Sequence, residues 1–148
     1  MKLLLVIVSS LFLFMQNTVA VAGDVSSTIL VKGATSWDGS SFNYAQGEPE
    51  ITVQKISINT GSEEVSLAVH CHTVPLAAYV LKGSVNVVKP SGESKLFNVG
   101  DAFVEVMNKW HKGVFVEDTE LLVFYAGAKG VELSVKKDSN APLSKSCD

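Results

Sequence analysis

The sequence has no run of basic residues, few charges of either sign, little cysteine and no apolar stretch of membrane-spanning length. Its 12 Lys+Arg against 15 Asp+Glu give a formal net charge of −3, and charged residues make up only 18% of the 148. A nucleic-acid partner requires a basic face that displaces counterions from phosphate, and that class is excluded here. A disordered chain is also excluded, because 47% of the residues are hydrophobic and can bury a core. A spanning helix takes ~20 apolar residues, whereas the longest apolar run, Leu3 to Met15, has thirteen. Beyond that run no segment shows ten residues of helical periodicity, so helical architectures are set aside.

What the first residues do contain is the pattern of a secretory signal peptide. Lys2 supplies a positive start, the apolar run follows, and small residues two apart, Ala20 and Ala22, precede Gly23. The alternative is an uncleaved anchor, for which the run is short. The pattern therefore predicts a leader over 1–22 with cleavage after Ala22 (after Ala20 as the alternative) and a single domain over 23–148. It also predicts an exported protein, periplasmic or secreted, with no membrane attachment once the leader is removed. Export places Cys71 and Cys147 in an oxidising compartment, where a disulfide between them persists. The competing reading is a buried thiol at Cys71 and a free one in the polar C-terminal tail.

Along the remainder, β-branched residues alternate with polar ones and turn residues interrupt them at short intervals. Strands are expected at Thr28–Lys32, Ile51–Ile58, Val65–His72, Ala77–Leu81, Ser84–Val88, Ser94–Phe97, Ala102–Val106, Gly113–Glu117, Leu121–Tyr125 and Val131–Val135. So many short strands at close spacing define an all-β sandwich or barrel. Thr35–Pro49 is polar and reads as a long loop tacked down by Trp37 and Tyr44.

The chemistry lies in three histidines. His70 and His72 are two apart on an expected strand, so both side chains leave one face, while Cys71 between them points the other way. Two imidazoles on one face can share a metal ion, and a rolled sheet can return His111 to the same cavity. The bland alternative is a pair of surface histidines and an isolated loop histidine.

The residues around them resemble the two motifs of the cupin superfamily. His70-x-His72 precedes Tyr79-Val80-Leu81-Lys82-Gly83, and Gly100-Asp101 precedes His111, over a region of about 51–125. The wider pattern is similar to a subgroup of small exported bacterial cupins. The resemblance implies a cupin-type jelly-roll barrel (a double-stranded β-helix), a metal held by the three histidines, and a homodimer, for which the apolar strand Ile51–Ile58 is a candidate to pair edge to edge. Two departures stand out. The acidic ligand of the first motif falls at Leu76, which is no carboxylate, and the Pro and Gly positions of the second motif hold Val106 and Asn108.

Glu105, alone in a hydrophobic strand, is the candidate to replace that carboxylate as a metal ligand. The alternative is a solvated Glu on the exterior, since alternation does not say which face is inward. Tyr79, Phe103, Trp110 and Phe115 are candidates to line the cavity. Three neutral imidazoles suit a divalent transition metal (Fe, Zn, Mn, Ni or Cu) and leave coordination positions open. The expectation is an exported metal-binding barrel with a small-molecule ligand. With iron it suits dioxygenase-type chemistry, and with zinc or manganese Lewis-acid chemistry. A binding protein without turnover and a metal-free interaction barrel are the alternatives.

Overall fold

A computed structural model describes residues 23–137 and 147–148, so the expected leader over 1–22 lies outside the described residues. Ten strands follow one another in the order β1 Pro49–Ile58, β2 Val65–Ser66, β3 His70–His72, β4 Leu76–Lys82, β5 Ser84–Val88, β6 Ser94–Asn98, β7 Ala102–Val104, β8 Lys112–Phe115, β9 Thr119–Ala128 and β10 Ser134–Lys136. Among the described residues there is no helix.

The strands form two four-stranded sheets, β1-β9-β4-β7 and β2-β8-β5-β6, and a two-stranded pair, β10-β3. Every strand pairing is antiparallel. One ribbon explains the two sheets. β4 pairs with β9, turns a corner into β5, and β5 pairs with β8, the segment that leads back to β9. A folded antiparallel ribbon of this kind is the jelly roll, the architecture of cupin barrels.

The corner is built by side chains that only a few residues can replace. Gly83 has φ +69°, and a Cβ there would stand 2.5 Å from the Asp118 carbonyl oxygen and 2.6 Å from Thr119 Oγ1. Thr119 is buried and its hydroxyl donates to the Ser84 carbonyl at 2.9 Å, while Ser84 Oγ donates to Glu117 Oε1 at 2.8 Å. These bonds satisfy backbone groups that the ladder loses where it bends.

The period-two pattern turns one face of each strand inward. Leu76, Ala78 and Val80 of β4, Val85 and Val87 of β5, and Leu121, Val123 and Tyr125 of β9 meet between the sheets. Phe97 stacks on Phe103 with ring centroids 3.7 Å apart, and Trp37 sets its edge against Phe97 at 6.4 Å.

Three expected features differ. Thr28–Lys32 is exposed and not a strand, because among the described residues no strand pairs with it and the alternation alone supplies no hydrogen bonds. The expected strand Val65–His72 divides into β2 and β3, which belong to different sheets. From Ser66 to His70 the chain advances four residues while the facing strand steps back three, from Val114 to His111, and the extra residue is a bulge. Tyr44 is exposed, so Trp37 alone of the two fixes the loop before β1 to the body.

Gly83→Ala brings the new Cβ into fixed backbone at a left-handed φ. It is expected to lower stability by about 3 kcal/mol, read as a drop in the urea midpoint with an unchanged slope.

Candidate metal centre

The histidines are brought together by main-chain bonds. His70 N–H donates to the His111 carbonyl, and His111 N–H to the His70 carbonyl, both at 2.9 Å. Asn108 N–H donates to the His72 carbonyl at 2.9 Å, in a parallel bridge between His72 and Met107. Asn108 adopts φ +59°, a left-handed conformation that asparagine tolerates. That explains how it stands where the resemblance expects glycine.

The three imidazoles offer ligand atoms that all lie within 4.8 Å of one another, with ring centroids 4.6 to 5.0 Å apart. His111 and His72 are buried and His70 half-buried. The Nδ1 of His70 donates to the Ala68 carbonyl at 2.9 Å and that of His111 to the Lys109 carbonyl at 2.8 Å. These bonds place the proton on Nδ1, leave the Nε2 lone pair for the cavity and fix each ring in the orientation a metal ligand needs. His111 Nε2 and His72 Nδ1 are buried with no hydrogen-bond partner. Burial of an unpaired polar atom is costly, and a bound cation would satisfy these lone pairs.

Burial also holds all three imidazoles below the ordinary value of 6.5. His72 lies furthest below, through burial first and then repulsion from His111 and His70. Neutral rings at pH 7 are the form that donates to a metal.

Glu105 faces the same cavity and is buried, which removes the exterior alternative. Its carboxylate stands outside the group of mutually close ligand atoms formed by the histidines. Oε1 instead accepts Trp37 Nε1–H and the Val106 amide, each at 2.8 Å. The Glu105 amide donates to the Leu76 carbonyl at 3.2 Å, so the acid sits across the sheet from the position where the resemblance expects one. Burial raises its pKa to about 7, outweighing the two donors and the attraction of His70.

Of the aromatic candidates, Phe103 and Phe115 line the cavity. Tyr79 does not: it alternates with the inward Ala78 and Val80 and faces outward on β4, opposite Leu122. Trp110 does not either. It packs behind the histidine strand with Cys71, Cys147, Val69 and Val135. There Cys71 and Cys147 form a disulfide with Cα atoms 6.3 Å apart. Two residues that act at the site were not assigned to it from the sequence. Tyr125 sets its ring 5.8 Å from His72, a position implicit in the inward alternation of β9. Trp37 reaches Glu105 from a loop, where no periodicity points to it.

Fold and site together define a jelly-roll barrel with a three-histidine centre. Solved structures of similar fold include an RmlC-like cupin from Shewanella frigidimarina, 25% identical over 55% of this chain and 69% of that one, with a TM-score of 0.45. The polyketide cyclase RemF from Streptomyces resistomycificus is 18% identical over 64% of this chain and 66% of its own, at 0.49. Oxalate decarboxylase from Lactobacillus farciminis is 17% identical over 58% of this chain, at 0.46, and the match spans 26% of that enzyme. No protein-family model and no curated protein matches the sequence.

Two outcomes are expected in the metal-free protein. The disulfide closes a separation of 76 residues, so Cys71→Ala/Cys147→Ala should lose about 4 kcal/mol in urea unfolding. Glu105 has a folded pKa above its unfolded value, so its contribution is favourable at low pH and is lost as pH rises from 4.5 through about 7. Glu105→Gln keeps an acceptor for both donors without the charge. It should match the parent at pH 4.5 and exceed it at pH 8, by up to about 3 kcal/mol.

Proposed function

We propose that this chain is an exported, mononuclear metal-dependent enzyme acting on a small molecule, with the ion held by His70, His72 and His111. The observation that carries the reading is the trio of converging imidazoles, in which the buried His111 Nε2 has no hydrogen-bond partner. Bound there, a divalent transition metal supplies Lewis acidity and, if redox-active, oxygen chemistry. The backbone carbonyls of Ala68 and Lys109 hold two of the rings in the ligating tautomer. The disulfide behind β3 fixes the strand that carries His70 and His72.

Glu105 favours turnover over storage. Its Oε1 is tied by two donors, which leaves Oε2 as the oxygen that can hold or release a proton at the cavity wall. A carrier has no use for such a group. Export is supported by the leader-like residues 1–22 and by the disulfide, a bond that persists outside reducing compartments.

Metal analysis of the purified protein, refilled with zinc or iron, is expected to give one ion per chain. His111→Ala and His70→Ala/His72→Ala should bind none while still unfolding cooperatively. Retention should fall steeply on acidification through roughly pH 6 to 5, because protons compete for imidazoles below their ordinary range. A parent protein that takes up no ion at pH 7.5, or keeps it unchanged at pH 4, overturns the assignment.

A further inference from the structure

The cavity below the histidines encloses about 360 Å³. Its character changes along its length. Tyr125 stands beside His72, and Leu121 lies four residues further along the inner face of β9. Phe115 stands four residues beyond His111. Four residues of extended chain cover about 13 Å, so both strands carry the wall from the histidines down to an apolar floor. Val85 adds to that floor, while Val123 lies level with Ala78 midway down the wall, with Gln54 opposite it on β1. Among the described residues, the acidic and basic side chains on the wall besides the histidines are Glu105 and Lys136, and Lys136 lies opposite His70 in the β3–β10 pair.

Charge and shape together select a ligand. Three neutral imidazoles leave a divalent ion with its full charge in a cavity of low polarity, which is unfavourable without an anionic partner. Glu105 has one oxygen already committed to Trp37 and Val106, and Lys136 adds charge of the wrong sign. Glu105 stands outside the histidines' group of ligand atoms, so an anionic oxygen on the ligand is the donor that best fills the open coordination positions. The floor around Phe115 and Leu121, in turn, is apolar and rewards apolar area.

Resting on the metal-centre reading above, we infer that the site takes a small molecule with one anionic, chelating oxygen head and an apolar body of about ring size directed at Phe115 and Leu121. Compact polyanions without such a body fill the head position only.

The test is calorimetric titration of the zinc-loaded protein with acetohydroxamate, benzohydroxamate and oxalate. The two hydroxamates share a head and differ in the body, a methyl against a phenyl ring. Benzohydroxamate is expected to bind about thirtyfold more tightly than acetohydroxamate, from the extra apolar area buried, and more tightly than oxalate. Ala78→Leu, which places a larger side chain on the inner face of β4 midway down the cavity, should abolish that preference while keeping acetohydroxamate binding and one zinc per chain. Val85→Ile, at the floor, should reduce it in the same way and serves if Ala78→Leu does not fold. Equal binding of the two hydroxamates, or tightest binding of oxalate, overturns the ligand class while leaving the metal centre intact. A preference that survives both filled variants likewise overturns the placement of the body. Failure of the parent to hold zinc instead removes the metal centre, and the inference with it.

Discussion

The reciprocal backbone pair between His70 and His111 is the contact on which this site depends. Two 2.9 Å hydrogen bonds join residues 41 apart in the chain and set their side chains side by side. The pair exists only because a bulge after Ser66 shifts the register of the β2–β8 ladder by one residue. In a strand of period two, a one-residue shift changes which side chains face inward. His72 then follows His70 on the same face, and its own carbonyl is held by the Asn108 amide.

Behind that strand the structure is closed by covalent and aromatic packing. Cys71 is buried on the opposite face from the histidines and is joined to Cys147, with Trp110 packed beside the bond. The Asp148 amide donates to the Asn108 carbonyl, so the chain terminus and the second histidine segment are tied together as well. A small barrel that gives up interior volume to a cavity loses packing energy there. The disulfide, the Thr119–Ser84 corner and the stacked Phe97 and Phe103 supply rigidity elsewhere.

Electrostatically the centre is a set of groups kept neutral by burial. The imidazoles fall below their ordinary pKa and Glu105 rises above its own, both because low polarity disfavours charge. A divalent cation inverts that preference at once: lone pairs find a partner, and an ionised Glu105 becomes favourable nearby. Trp37 connects this chemistry to the loop before β1. Its indole N–H holds Glu105, and its amide donates to the Val104 carbonyl at 2.9 Å. The adjoining Asp38 pairs with Lys89 at 2.7 Å, which fixes the loop to the sheet.

By itself the sequence determined the strand alternation, the corner glycine and the one-faced placement of His70 and His72, because each follows from local periodicity or from φ/ψ limits on a single residue. It also made Phe103 and Phe115 candidates for the cavity wall. Periodicity could not separate Tyr79 and Trp110 from them, since an aromatic residue fits either face of a strand and only the partner strands fix which face is interior. Thr28–Lys32 shows the same limit from the other side: it has the composition of a strand, but a strand is completed by a neighbour. The direction of Glu105, its bond to Trp37 from a loop 68 residues away, the bulge that lets His111 meet His70, and the closing of Cys71 onto Cys147 were all decided by tertiary structure. Each depends on contacts between segments far apart in the chain, whose geometry is set by how the two sheets close around a shared interior rather than by any residue's near neighbours.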